Sequence, residues 1–195
     1  LRKLLVSIFQ NGIGFQTQRS SFLSRFKPES SIYIDIILIQ CYSGWRASEL
    51  IKLELSKVNL EEKTFRGGSK TNAGKDRIVP IHHLIYPLVE KRYREAKRLN
   101  SPRLFNVQTF VEGGFSFIYY ELYARQFKVI INRLALDPRH HTHDCRKTFV
   151  TMAKRANVDE YAIKRIIGHQ IADLTERVYT DRSIDWLRSE IEKIH

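Results

Sequence analysis

The most apolar stretch of the chain runs from Ile32 to Tyr42 and is interrupted only by Asp35 and Gln40. Tyr33, Ile36, Ile37 and Ile39 are spread almost all the way round the helix they would form, which predicts a central helix capped by Ser31 and broken at Ser43-Gly44. A second helix carrying Arg46 to Leu53 is expected after the break. Upstream, Leu1 to Phe9 predict one short apolar-faced helix. Gln10 to Ser31, rich in Gly, Ser, Gln and Arg with little periodicity, predicts a loop.

Between Val58 and Ile81 the pattern changes. Val58-Asn59-Leu60, Thr64-Phe65-Arg66 and Arg77-Ile78-Val79-Pro80-Ile81 predict three short strands, separated by Glu61-Glu62-Lys63 and the turn-prone Thr71-Asn72-Ala73-Gly74. No other β-region is expected. Helical stretches follow at about 83–99, 116–135, 143–156, 159–167, 171–180 and 183–194. In the last of these, Ile184, Leu187, Ile191 and Ile194 form a narrow apolar stripe at helical spacing. The expected fold is therefore mainly α with a small three-stranded antiparallel β-sheet (α+β). Residues 31–195 form one domain, preceded by a segment, 1–30, whose packing the sequence does not assign.

Composition adds a partner. Lys and Arg number 33 against 21 Asp and Glu, a formal charge of +12 over 195 residues. Such an excess favours a polyanion, because each neutralised phosphate releases condensed counterions. No stretch approaches the ~20 apolar residues that span a bilayer, and no secretory signal is recognised. Cys41 and Cys145 are far apart in sequence and fit neither a disulfide framework nor a zinc spacing. The expectation is a reducing, intracellular and cytoplasmic setting at nucleoid DNA. The chain begins at Leu1 and its single methionine is Met152, so further sequence upstream is expected.

Several residues could carry chemistry. His143 and Arg146, three apart at the start of a helix that Thr142 would cap, add an imidazole and a guanidinium fork to an end that already attracts anions. Taken alone, such a pair more often solvates a helix end. Arg46 lies beside the Ser43-Gly44 break with Glu49 one turn later; this is either a surface ion pair or an arginine oriented by a carboxylate. The turn from Ser69 to Lys75 offers Lys70 and Lys75 as acid or phosphate tether, and spacing does not separate them. His169 follows Gly168 at a helix end, and Tyr179 is one of nine tyrosines, a weak nucleophile at its ordinary pKa near 10. His140, His141 and His143 crowd near Cys145, but nothing distant completes a tetrahedral site, and His82-His83 has no evident partner. Neither a phosphate-binding glycine loop nor an acidic cluster for two-metal catalysis is present, so no metal and no cofactor is expected.

Order and spacing make a set of these residues. Ser43-Gly44-Trp45-Arg46-Ala47-Ser48-Glu49-Leu50, Gly68-Ser69-Lys70-Thr71 with Lys75-Asp76-Arg77-Ile78-Val79-Pro80, His143-Asp144-Cys145-Arg146-Lys147-Thr148-Phe149, Gly168-His169 and Tyr179 together resemble the phage integrase family, the tyrosine recombinases. Trp45 is bulkier than the family's usual residue, and Lys147 stands where histidine is common. The resemblance implies a site-specific recombinase or integrase of a mobile element that cleaves and rejoins double-stranded DNA through a 3′-phosphotyrosyl link, without metal or ATP. It implies Arg46, Lys70, His143, Arg146, His169 and Tyr179 as the catalytic set, Glu49 as support, and Lys75, Arg77 and Lys147 as DNA contacts. It also implies a homotetramer on two DNA sites with exchange of C-terminal helices, for which the Ile184 stripe is a candidate unless it packs on its own core. Residues 1–30 match the family poorly, and the separate N-terminal DNA-binding domain usual in such recombinases is not expected within these residues. A type IB topoisomerase-like enzyme and a non-catalytic DNA-binding regulator with this fold are the alternatives.

Overall fold

The computed structural model describes residues 30–68, 74–109, 111, 113–170 and 183–194. The expected helices at 1–9 and 171–180, together with Lys70 and Tyr179, lie outside the described residues.

Helix α1, Ser31–Ser43, is the centre of the molecule, with every residue from Ile32 to Ser43 buried. Ser30 occupies the N-cap without a side-chain cap bond, while the Ser31 hydroxyl accepts from Arg92 Nη2 at 3.1 Å. The helix stops at Gly44, which takes a left-handed conformation (φ 66°) and donates its N–H to Gln40 O at 3.0 Å. A Cβ there would stand 2.6 Å from the Phe149 ring, so only glycine fits both the turn and the close packing.

Helix α2, Ala47–Leu50, is a single turn and shorter than the expected Arg46–Leu53. The chain leaves the helix because its next polar groups pair elsewhere. Leu53 O accepts from Leu104 N at 3.0 Å, and Leu55 N donates to Pro102 O at 2.8 Å. After a 3₁₀ turn, Leu55–Lys57, strands β1 (Val58–Asn59), β2 (Thr64–Gly67) and β3 (Arg77–Pro80) form the antiparallel sheet in that order. Register pairs Val58 with Phe65 and Phe65 with Val79, and these three are the buried face. A second, two-stranded sheet was not expected: β4 (Asn106–Gln108) pairs with β5 (Phe115–Phe117), and helix α4 begins only at Tyr120.

The helices α3 (Tyr86–Arg98), α4 (Tyr120–Arg133), α5 (His143–Arg155) and α6 (Glu160–Ile167) complete the layer around α1, which packs on α3, α4 and α5. Thr142 stands at the N-cap of α5 but makes no side-chain cap bond; its hydroxyl meets Tyr120 Oη at 3.1 Å. Asp159 caps α6, accepting from Tyr161 N and Ala162 N. Inside the core, Asp35 is fully buried and receives Arg92 Nε at 2.8 Å. Cys41 and Cys145, remote in sequence, are both buried there as free thiols, and burial, with Cys41 adding to it, pushes the Cys145 thiol well up.

The last helix, α7 (Ile184–Ile191), lies against β3 and α6. Leu187, Ile191 and Ile194 are fully buried, so the apolar stripe packs on its own chain here. His82 and His83 do have a partner, contrary to expectation: Glu192 accepts from His83 N at 2.9 Å and pairs with the His83 ring. His82, His83 and Glu192 are the one group with metal-ligand proximity among the described residues. His82 Nδ1 accepts from Leu84 N at 3.1 Å, which leaves the proton on Nε2, directed at Ile194 O at 2.9 Å. That tautomer cannot offer Nε2 to a cation, and the group reads as a clasp on the C-terminal segment. No described helix is long and apolar enough to cross a membrane.

Candidate active site

Four loops and helix ends converge at one side of α1. Arg46 precedes α2, with its side chain 17% exposed and its Nη1 3.4 Å from Glu49 Oε1. Arg146, on the first turn of α5, is 4% exposed. It donates from Nη1 to Gly44 O at 2.8 Å and from Nη2 to Ile167 O at 2.6 Å, so it joins the break after α1 to the end of α6. These bonds commit two of a guanidinium's five N–H donors.

The charges act on one another. Burial, with Arg46 and Arg77 close by and only partly offset by Glu49, brings the Arg146 guanidinium down to about 10. His169, just past the C-cap Gly168 of α6, is held below its ordinary value first by burial, then by Arg146 and Arg46. His143 is lowered in the same way by burial, Arg146, Lys147 and His141, with Asp144 opposing. Arg46, His143, Arg146 and His169, selected from sequence by order alone, therefore share one electrostatic neighbourhood. Both histidines keep an exposed edge, and both are biased toward the neutral form until an anion arrives.

The crowd of histidines at His140 and His141 is organised by Asp144. Its carboxylate accepts from His141 N at 3.1 Å, faces His140 Nδ1 at 3.2 Å and pairs with Lys147 Nζ at 3.2 Å. Lys147 remains 64% exposed and Lys75 is exposed, positions open to a DNA backbone.

Arg77 is a correction. Expected as a DNA contact beside Lys75, it is 7% exposed and points inward. Nε donates to Ile166 O at 2.9 Å, Nη1 to Gly74 O at 3.0 Å, and Nη2 reaches Glu49 Oε2 at 3.1 Å. Its guanidinium lies 4.1 Å over the Trp45 ring. Strand parity carries the signal that would have shown this: Arg77 and Val79 share one face of β3, and Val79 is core. Trp45 itself is fully buried, and its Nε1 has no hydrogen-bond partner among the described residues, at a cost of about 1–3 kcal/mol. Its stack on Arg77 and its edge contact with Phe65 offset that loss.

A second group that sequence reading passed over is Gln40. In the core it donates from Nε2 to Trp45 O and Thr142 O, each at 3.1 Å, and accepts from Tyr123 Oη at 3.0 Å. It thereby fixes the residues immediately before Arg46 and His143. Among the described residues, Glu49 pairs with Arg46 and Arg77, and its charge is also felt by Arg146. The cluster is left with excess positive charge at a partly open surface, which suits a bound phosphodiester.

The model of the phage integrase family matches residues 20–184. The tyrosine recombinase XerC of Shewanella oneidensis is 28% identical over 153 residues, covering 78% of this chain and 48% of XerC. The chain spans about half the length of the XerC relatives it matches. Among solved structures, the integrase from mycobacterium phage Brujita superposes with a TM-score of 0.64 at 21% identity, covering 89% of this chain and 55% of that one. The Tn1549 transposon integrase in complex with circular intermediate DNA gives 0.58 at 21% identity, with 90% and 63% covered. These two likenesses establish a common fold.

Proposed function

The chain belongs to the phage integrase family, and from that premise we propose that it is the catalytic domain, residues 31–195, of a mobile-element recombinase that cuts and rejoins double-stranded DNA inside the cell. The observation that carries this reading is the arginine cluster, in which Arg46 and Arg77 pair with Glu49, Arg146 lies within their electrostatic reach, and positive charge is left for an anion.

Arg46 and Arg146 hold the two non-bridging oxygens of the scissile phosphate. Their charge matters most as phosphorus becomes five-coordinate and negative charge builds on those oxygens. Tyr179 Oη attacks phosphorus, the bond to the 5′ oxygen breaks, and a 3′-phosphotyrosyl link remains. Lys70 gives its proton to the departing 5′ oxygen, while His143 and His169 donate hydrogen bonds to the phosphate or take the tyrosine proton. Neutral histidines suit that last role, and the neighbouring arginines support the neutral form. The link conserves the energy of the diester, so a 5′-hydroxyl from another strand reverses the step without ATP or metal. Lys75 and Lys147 tether flanking phosphates.

Assembly as a tetramer on two DNA sites, with exchange of C-terminal helices, belongs to the same proposal. It requires α7 to leave β3 and α6, where Leu187 and Ile191 are buried in the single chain. Removing residues 183–195 tests that part; unchanged assembly on DNA would count against exchange.

The chemistry is tested on a nicked suicide duplex, whose short downstream fragment, carrying the freed 5′-hydroxyl, diffuses away after cleavage. The wild-type chain accumulates a covalent protein–DNA adduct, and Tyr179→Phe binds the duplex but forms none. Adduct at the wild-type level in Tyr179→Phe refutes the assignment.

A further inference from the structure

Arg77 spends all three directions of its guanidinium on protein. Nε is bonded to Ile166 O, two residues before the glycine that precedes His169. Nη1 is bonded to Gly74 O, just after the segment 69–73 that carries Lys70. Nη2 is bonded to Glu49, the carboxylate that also meets Arg46. The plane of the fork is fixed from one face by the Trp45 ring at 4.1 Å. The surroundings leave no slack: a Cβ on Gly168, which has φ 68°, would fall 2.7 Å from Gly74 Cα and 3.2 Å from Arg77 Cδ. The base of the hairpin is closed by Asp76 N donating to Gly68 O at 3.1 Å. Burial of this cation, which lowers its hold on a proton, is offset chiefly by Glu49.

We propose that Arg77 is a positioning residue, which ties Gly74, the residue after the segment that carries Lys70, to the α6 end and to Glu49, so that proton delivery by Lys70 to the leaving oxygen depends on it. This rests on the recombinase reading above. A lysine keeps the charge but not the planar fork, and cannot reach three acceptors set at fixed angles. The effect of Arg77→Lys is therefore expected on proton delivery to the leaving oxygen and not on affinity for DNA.

The test compares two nicked duplexes under single turnover, one with the natural 5′-bridging oxygen and one with sulfur in its place. A thiolate leaves without being protonated, so misplacement of the acid does not slow its departure. The expected result for Arg77→Lys is a loss of about a hundredfold on the oxygen substrate, a loss of under about fivefold on the sulfur substrate, and an unchanged Kd. A purely structural role moves both rates together. Should Arg77→Lys fail to fold, Trp45→Phe weakens the stacking face instead and shows the same bias toward loss on oxygen, at about five- to tenfold. Equal losses on the two substrates, or none, overturn the proposal while leaving the recombinase reading intact. A wild-type chain that forms no adduct on either substrate removes that reading, and this proposal with it.

Discussion

Gln40 donates from Nε2 to the carbonyl of Thr142 at 3.1 Å, across the interface between α1 and α5. The same nitrogen serves Trp45 O, so one core amide ties together the two chain segments that lead into Arg46 and His143. Replacing Gln40 by leucine keeps the volume but strands Trp45 O and the Tyr123 hydroxyl in the core and takes one bond from Thr142 O. Each stranded group costs about 1–3 kcal/mol, and the expected loss of unfolding free energy in urea is about 3 kcal/mol. A loss below about 0.5 kcal/mol would show that the bonds do not hold the two segments.

Asp35 and Arg92 form the other buried polar link, between α1 and α3. Removing Asp35 takes one of two carboxylates from the buried Arg92, which keeps Glu95 at 2.6 Å, so Asp35→Ala is expected to cost about 2–3 kcal/mol. Replacing both by leucine should cost distinctly less. Thermal unfolding of the two variants checks the order; a double replacement as damaging as the single one contradicts it.

The histidines give a pH signature. His143 and His169 are both held below the ordinary value, by burial first and by Arg146 after it. The folded chain thus protonates them later than the unfolded chain as pH falls. Their contribution to stability is present above the unfolded value near 6.5 and is lost as pH drops through their folded values. Both rings are partly exposed, so the effect on stability is small and NMR titration is the better readout. In the free chain both rings should titrate below the ordinary value near 6.5, and both should titrate higher with a DNA duplex bound. A ring that titrates above its ordinary value without DNA contradicts the electrostatic picture.

Much of this was legible in the sequence, for reasons that differ by residue. The near-continuous apolar surface of Ile32 to Tyr42 can only be satisfied at the centre of a fold, and α1 is there. Val58, Phe65 and Val79 alternate as a half-buried sheet requires. Arg46, His143, Arg146 and His169 were legible only as an ordered set, because each alone resembles an ordinary surface residue. The β4–β5 hairpin escaped because three-residue strands carry too little periodicity; its one sign was Gly113-Gly114 ahead of alternating Phe115 and Phe117. Arg77 escaped because its charge suggested solvent, whereas parity with Val79 sends it inward and leaves Ile78, 44% exposed, on the outer face. The partners of Gln40 and His82 are set by helices meeting across long stretches of chain, and local pattern holds no record of that.

Arg146 separates holding a phosphate from holding the fold. Its hydrogen bonds to Gly44 O and Ile167 O both go to backbone carbonyls, and lysine can replace at most part of that fork. Arg146→Lys is expected to lower the rate of adduct formation by about a hundredfold or more while DNA affinity changes by less than about tenfold. Quench-flow on the suicide duplex, with a filter-binding assay beside it, reads both. An unchanged cleavage rate would remove Arg146 from the phosphate seat.

The central claim is that this arginine and histidine cluster presents a DNA phosphate to Tyr179. The most direct measurement is to digest the trapped wild-type adduct with protease and nuclease and to locate the nucleotide by mass spectrometry. The expected product is a peptide carrying a 3′-linked nucleotide on Tyr179. A nucleotide on any other residue, a 5′ linkage, or no covalent product from a chain that binds the duplex would contradict the claim.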